Sequence, residues 1–197
     1  MITPDRQYRS FDFERSDDEM TVEGYAAVFG KPCVLYTDEN GIAYSEVIEP
    51  TAFDGVDMSN IVMNYNHTGK PVARTRNGTL TLSVDNTGLK IHAYLGGTGE
   101  GRTLYEEIKG GYIDRMSFCF DLSPGQDRFD PLTHTRTVSA IAALYDVAAV
   151  DQPAYESTIL YARSAIKAEA EKAQAEAEKR ARQILKLKIQ LKRSKKK

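Results

Sequence analysis

The chain has 197 residues, of which 41% are hydrophobic and 27% are charged, and its formal net charge is −2. This composition is typical of a globular protein and excludes collagen-like or wholly disordered chains. The two cysteines, Cys33 and Cys119, lack CxxC spacing, which predicts reduced thiols instead of a disulfide framework or zinc site. No apolar run reaches the roughly 18 residues of a membrane span, and the first residues lack the order of an export signal. We therefore expect a soluble intracellular protein.

Charge divides the chain into two parts. Residues 1–156 hold 13 Lys+Arg and 24 Asp+Glu, a balance of −11, whereas residues 157–197 hold 13 and 4, a balance of +9. The sum is the net charge of −2. An acidic body with a basic tail predicts that the tail has a partner of its own, either an acidic protein surface or nucleic acid.

The first half of the body is punctuated like a β-rich domain. Residues 22–29 and 60–67 predict strands. Asn40-Gly41, between two alternating runs, predicts a hairpin, and residues 79–95 predict a second one. Glu49-Pro50-Thr51 predicts the start of a short helix.

The second half contains one helix and several strands. The segment from Arg102 predicts a helix of about ten residues that ends at Gly110. In the strand that follows, Met116, Phe118 and Phe120 alternate on one face, so Ser117 and Cys119 share the other. A polar loop over residues 123–133 then leads to strands within 135–141 and 144–150. Many short strands with few helices predict an α+β fold, as a β-barrel or sandwich with helical decoration.

The tail, residues 157–197, predicts a long helix without Gly or Pro. Apolar residues follow a 4,3,4,3 spacing with one polar interruption, at Ile166, Ala170, Ala173, Ala177, Arg180, Ile184, Leu187 and Leu191. This pattern fits an oligomerising coiled coil and a lone solvated helix equally. The Lys-rich end, residues 192–197, predicts disorder.

Ser117 lies on an apolar strand and is a candidate nucleophile if a general base lies next to it. Ser117 needs an adjacent base because a hydroxyl is weakly acidic, and histidine supplies one near neutral pH. His67 ends a predicted strand; a surface position is the alternative. Asp146 is an odd acid in an apolar strand and is a candidate orienting carboxylate, unless it faces water on an edge strand. Asp151 and His134 are the rivals for that third position.

No cofactor or metal is expected. The glycine cluster at residues 96–101 lacks the Lys-Ser/Thr ending of a phosphate-binding loop. The sequence shows no Cys/His cluster with zinc-ligand spacing.

Taken together, the segments of the body resemble the prohead (capsid maturation) serine proteases of tailed phages. The segments that carry the resemblance are 24–29, 45–53, 66–67, 103–120 and 144–155. The resemblance implies a fold like that of herpesvirus assemblin, a mostly antiparallel β-barrel surrounded by helices. It implies a protease domain at 1–156 and a helical targeting tail at 157–197.

The resemblance also assigns roles to residues. It implies His67 as the general base, Ser117 as the nucleophile and Asp146 as the third member. In the assemblin relatives a second histidine fills that place, which here leaves His134. Two positions depart from the family's pattern: Cys119 stands where glycine is usual, and Thr68 where aspartate is common.

The implied function is cleavage of scaffold and capsid protein segments, and of the chain itself, inside the prohead in the host cytoplasm. The implied partners are the major capsid protein with its scaffolding segment and a second copy of the chain, through barrel helices or the tail. Membrane partners are not expected, and nucleic acid is disfavoured. A non-catalytic capsid assembly or scaffolding protein on the same fold is the main alternative, and a nucleic-acid-associated module is a further one.

Overall fold

The computed structural model describes residues 7–16, 20–122, 125–151, 172 and 175–186. A 3₁₀ turn, Thr75–Asn77, joins two of the strands, and residues 175–186 are helical. The strands and the helix of the body follow in the order β1 Gln7–Ser16, β2 Thr21–Val28, β3 Cys33–Thr37, β4 Ala43–Ile48, β5 Val62–Tyr65, β6 Thr68–Arg74, β7 Leu80–Val84, β8 Gly88–Tyr94, α1 Gly99–Lys109, β9 Arg115–Asp121, β10 Asp127–Asp130, β11 Thr135–Val138 and β12 Ala143–Val150.

The strands form two sheets, which agrees with the predicted α+β class. The larger sheet has the order β6-β5-β12-β9-β1-β2-β8-β7, and the smaller has the order β10-β11-β4-β3. The pairs β5–β12 and β4–β11 are parallel, and the other strand pairs are antiparallel.

The strands of the predicted β-barrel do not close into a barrel within the described residues. Closure would need a hydrogen-bonded seam between β6 and β7, and within the described residues these strands remain the two edges of the larger sheet. The 3₁₀ turn between them reverses the chain, so that β7 pairs with β8 instead. A barrel requires every strand to have two neighbours, which the edges lack.

One apolar core is shared by both sheets. Phe118 of β9 packs against Phe53 at 5.9 Å between ring centroids, and Phe53 packs against Phe29 at 6.1 Å. Ile48 and Val138 of the smaller sheet belong to the same cluster. Met116, Phe118 and Phe120 are fully buried, as the alternation in β9 predicts for the core face.

The helix α1 lies where the sequence predicts it. Thr98 accepts a hydrogen bond from the backbone N–H of Gly101, which caps the first turn. Leu104, Tyr105 and Ile108 are buried on one face.

Two local predictions were wrong. Residues 49–54 form successive turns, with Ala52 N–H donating to Glu49 O and Asp54 N–H to Thr51 O, and Gly55 at φ 76° ends the run before a helix can extend. The polar loop contains a strand, β10, which pairs with β11 although its sequence carries few strand-favouring residues.

The described part of the tail, residues 175–186, is helical and exposed. The boundary at 156/157 and the seam residues Ile166, Ala170, Ala173, Leu187 and Leu191 lie outside the described residues. Within the described residues, no helix combines the length and apolar character that crossing a membrane requires.

Candidate active site

Three neighbouring strands of the larger sheet bring polar side chains to one face. In the strand register, Ser117 of β9 is opposite Ala148 of β12, and Ala148 is opposite Asn64 of β5. One row along, Cys119 is opposite Asp146. Because paired residues and residues two apart share a face, all five lie on the face opposite to the core phenylalanines.

A β-bulge in β12 places Asp146 on this face. Leu144 pairs with Phe120 and Asp146 with Cys119, so Tyr145 is an extra residue with no partner in the register. Uninterrupted alternation from Leu144 would have sent Asp146 into the core. One inserted residue reverses the phase, and the bulge therefore presents the carboxylate to the polar face.

His67 lies in a two-residue turn between β5 and β6. Tyr65 pairs with Thr68, so Asn66 and His67 form the whole connection, and their φ angles are 50° and 56°. Two successive positive φ angles are the signature of a type I′ hairpin turn. Few non-glycine residues adopt this conformation, and asparagine and histidine are among those that do so most often.

The turn directs the His67 imidazole onto Asp146. Nδ1 lies 2.6 Å from Asp146 Oδ1, and the two side chains are only 5% and 11% exposed. Since a carboxylate can only accept, Nδ1–H donates to Asp146, which assigns the tautomer and leaves Nε2 with a lone pair. The arrangement makes Nε2 a proton acceptor and holds a carboxylate beside the ring.

Ser117 lies one strand away from this pair. It is opposite Ala148, two residues beyond Asp146, which makes Ser117 and Asp146 diagonal neighbours whose Cα atoms are about 7–8 Å apart. The residue is 1% exposed, and no group of the described residues hydrogen-bonds its Oγ. A buried hydroxyl one strand away from an imidazole–carboxylate pair supplies the residue types of nucleophilic catalysis, although Ser117 Oγ and His67 Nε2 do not hydrogen-bond to each other in this structure.

The rival third members lie elsewhere. Asp151 follows β12, and its carboxylate accepts a hydrogen bond from Tyr65 Oη at 2.9 Å. His134 lies in the β10–β11 connection of the smaller sheet, with its ring 4.9 Å from that of Tyr44. His134 is thus on a different sheet from Ser117.

The two departures from the family's pattern are also located. Cys119 is fully buried and is opposite Asp146 in the register, so its thiol belongs to the polar face without contact with solvent. Thr68 opens β6 and donates its hydroxyl to Tyr65 O at 3.3 Å. Thr68 therefore belongs to the hairpin that carries His67.

Sequence reasoning missed two asparagines of this site. Asn64 and Asn66 are each 7% exposed, and among the described residues nothing hydrogen-bonds Asn64 Oδ1. The signal was present in the segment N-Y-N-H, residues 64–67, because asparagine is disfavoured inside strands and favoured at positive φ.

The described residues contain no group of three or more His, Cys, Asp or Glu side chains arranged to hold a metal ion.

Comparison with known proteins gives a family for the chain. A search of curated proteins and a search of solved structures each gave no significant match. Residues 7–174 match the family model described as caudovirus prohead serine protease, which covers most of the chain. The chain belongs to the caudovirus prohead serine protease family.

Proposed function

We propose that this chain is a serine endopeptidase in which Ser117 is the nucleophile, His67 the general base and Asp146 the orienting carboxylate. The observation that carries the proposal is the 2.6 Å contact between His67 Nδ1 and Asp146 Oδ1 on the sheet face that Ser117 shares. Family membership supports the reaction class.

The mechanism follows from the proton positions. Ser117 Oγ attacks the scissile carbonyl carbon while His67 Nε2 takes the hydroxyl proton, which gives a tetrahedral oxyanion and an imidazolium. Asp146 stabilises the imidazolium through Nδ1–H. Collapse of the intermediate transfers the proton from Nε2 to the leaving amine and forms the acyl-enzyme. Water then attacks the ester by the same proton transfers, which releases the acid and restores Ser117.

The substrates we propose are the capsid protein's scaffolding segment and the chain itself. A protease of this family acts within the prohead, inside the host cell. The basic tail, with 13 Lys+Arg against 4 Asp+Glu in residues 157–197, suits an acidic partner surface during assembly. A self-complementary contact through the tail would make the enzyme oligomeric.

The proposed nucleophile, Ser117, is buried. Ser117 is 1% exposed, so a peptide reaches Oγ only if the residues that bury this side chain move. Reaction with an active-site reagent should therefore be slow compared with that of an exposed catalytic serine.

The test is self-shortening of purified full-length protein, followed by mass spectrometry, together with labelling by a fluorophosphonate. We expect Ser117→Ala to abolish both, and the matched variant Ser83→Ala, at an exposed serine of β7, to change neither. Continued processing by Ser117→Ala would refute the protease mechanism.

The same experiment addresses the non-catalytic alternative. An assembly or scaffolding protein would support capsid formation equally well with Ser117→Ala and would take up no phosphonate. Binding to nucleic acid that weakens steeply with salt and disappears without residues 184–197 would instead favour the nucleic-acid-associated alternative.

A further inference from the structure

The turn that carries His67 is attached to the strand that carries Asp146. Asn66 donates its backbone N–H to Ala149 O at 2.9 Å, and its side-chain Oδ1 accepts from the backbone N–H of Asp151 at 3.3 Å. Both partner atoms lie at the end of β12, the strand on which Asp146 sits three residues before Ala149. Asn66 thus connects the two halves of the imidazole–carboxylate pair through one strand.

The side-chain bond adds a constraint that the backbone bond lacks. The backbone bond to Ala149 O holds the turn against β12 at one point, and a tilt of the hairpin about that point would move the imidazole relative to Asp146. The second bond, from Asp151 N–H to Asn66 Oδ1, fixes the tilt. Asn66 is 7% exposed, so water competes little for this bond.

Residue 151 is itself held in place. Its carboxylate accepts a hydrogen bond of 2.9 Å from the hydroxyl of Tyr65, the residue that precedes the turn. Burial, followed by the hydrogen bond to Asp151, raises the pKa of Tyr65 above its usual range, so the phenol stays a donor through the neutral range. Asp151, the sequence-based alternative for the third catalytic position, therefore contacts the turn through both its backbone and its side chain.

We propose that Asn66 is a positioning residue that, with Asp151 as its partner, sets the orientation of the His67 imidazole on Asp146. This inference rests on the proposed function for His67 as the base. Asn66 does not touch the substrate; it acts through His67. An orientation error of about 1 Å at a catalytic base is enough to slow the reaction by about 100-fold.

Three variants separate the side-chain bond from the backbone conformation. Asn66→Gly keeps the positive φ and removes Oδ1, whereas Asn66→Asp keeps an acceptor at the same place. Asn77→Gly is the matched control, because Asn77 Oδ1 also accepts a backbone N–H, from Thr79 at 3.1 Å, in a turn away from the site.

The kinetic test uses a peptide that spans the junction the full-length protein cleaves in itself. We expect Asn66→Gly to lower kcat between about 10-fold and 100-fold with KM unchanged. Its Tm should fall no more than that of Asn77→Gly. Asn66→Asp should recover most of the lost rate. A kcat for Asn66→Gly equal to that of the parent would overturn the inference.

A second readout is independent of cleavage. The proton on His67 Nδ1, held against a carboxylate, gives an NMR resonance far downfield of the amides, identified by its absence in His67→Gln. We expect this resonance in the parent and in Asn66→Asp and its loss by exchange broadening in Asn66→Gly. A sharp, unshifted resonance in Asn66→Gly would contradict the inference. If the parent cleaves nothing, the proposed function fails while this measurement still decides the role of Asn66.

Discussion

At the residue scale, His67 is a histidine where a hairpin turn prefers glycine. Type I′ turns need positive φ at both central residues, and Asn-Gly is the favoured pair. His67, at φ 56°, accepts a conformation that costs a non-glycine residue about 1 kcal/mol or more. The strain brings the ring to Asp146, and glycine would remove the ring together with the strain. The strained backbone and the hydrogen bond to Asp146 are thus both consistent with a functional imidazole at position 67.

Asp146→Asn should separate the geometry of the pair from its chemistry. The amide has nearly the same shape, but its NH₂ group can donate to Nδ1, which favours the tautomer with the proton on Nε2. We expect kcat to fall by about 10³–10⁴-fold while the Tm changes little. Asp130→Asn, at a turn of the smaller sheet where Asp130 accepts from Leu132 N–H, is the control in the same assay. Retention of near-parent kcat by Asp146→Asn would remove Asp146 from the mechanism.

Replacing the buried Asn64 by an apolar residue should stabilise the fold. Its Oδ1 is buried and, among the described residues, unsatisfied, which costs about 1–3 kcal/mol relative to a solvated amide. Asn64→Leu keeps a similar shape and should raise the free energy of unfolding in urea by about 1 kcal/mol. Asn64→Asp should lower it, because a second carboxylate would be buried on the face of Asp146. A destabilised Asn64→Leu would show that the amide is bonded in solution.

At the element scale, the bulge in β12 marks where sequence periodicity stops being informative. Alternation correctly predicted the two faces of β9, because Met116, Phe118 and Phe120 repeat without interruption. In β12 the residues Leu144 and Asp146 are two apart and yet face opposite sides. The inserted Tyr145 is tied to Asp121 by a hydrogen bond of 2.5 Å, a contact between residues 24 apart. Such a contact leaves no local pattern to detect.

The same limit applies to how the candidate site is assembled. Residue types and turn signals predict both hairpins, α1 and the strand position of Ser117, since these depend on neighbours in sequence. The parallel pairing of β5 with β12 joins residues that are 84 apart, as in Asp146↔Val62, and this pairing brings His67 to Asp146. The resemblance to a family named the three residues, but the positive φ of Asn66 and His67 and the burial of Asn64 could be found only in the structure.

The β7–β8 hairpin has a carboxylate whose protonation should weaken it. Asp85 accepts from Tyr25 Oη at 2.7 Å and from the backbone N–H groups of Thr87 and Gly88. The Tyr25 hydrogen bond, then the bond from Thr87 N–H, lowers the pKa of Asp85 from its usual value near 4. Gly88 cannot be replaced by a residue with a side chain, since a Cβ there would lie 1.9 Å from Ala27 O.

The direction of the pH effect follows from that shift. A carboxyl whose pKa is lower in the folded state stabilises the fold above its unfolded pKa, and this stabilisation is lost as pH falls through the folded pKa. We expect amide hydrogen exchange at Thr87 and Gly88 to quicken below about pH 4, relative to the intrinsic rate. Tyr25→Phe removes the leading cause, so the Asp85 titration measured by NMR should move back toward the usual value. An unmoved titration would assign the shift to the backbone N–H groups alone.

At the scale of the whole molecule, the two sheets share one core and should unfold together. Phe29 beyond β2 forms an isolated bridge with Ile48 of β4, and Val138 of the smaller sheet lies in the common apolar cluster.

The smaller sheet also contains a buried ionic group. Arg136 Nε lies 2.6 Å from Asp127 Oδ2 and its Nη1 lies 3.7 Å from Glu46 Oε2, and the Glu46 side chain is fully buried.

Arg136→Met tests whether this ionic group supports the entire fold. Removing the guanidinium takes a positive charge away from the buried Glu46 carboxylate, and breaking a buried ion pair in this way costs about 3–5 kcal/mol. We expect the free energy of unfolding in urea to fall by that amount in a single transition, with fluorescence and circular dichroism coinciding. The double variant Glu46→Leu with Arg136→Met should recover most of the loss, because well-packed apolar residues replace buried ion pairs without penalty. Separate transitions for the two probes would instead show that the smaller sheet unfolds alone, and the site on the larger sheet would then be independent of it.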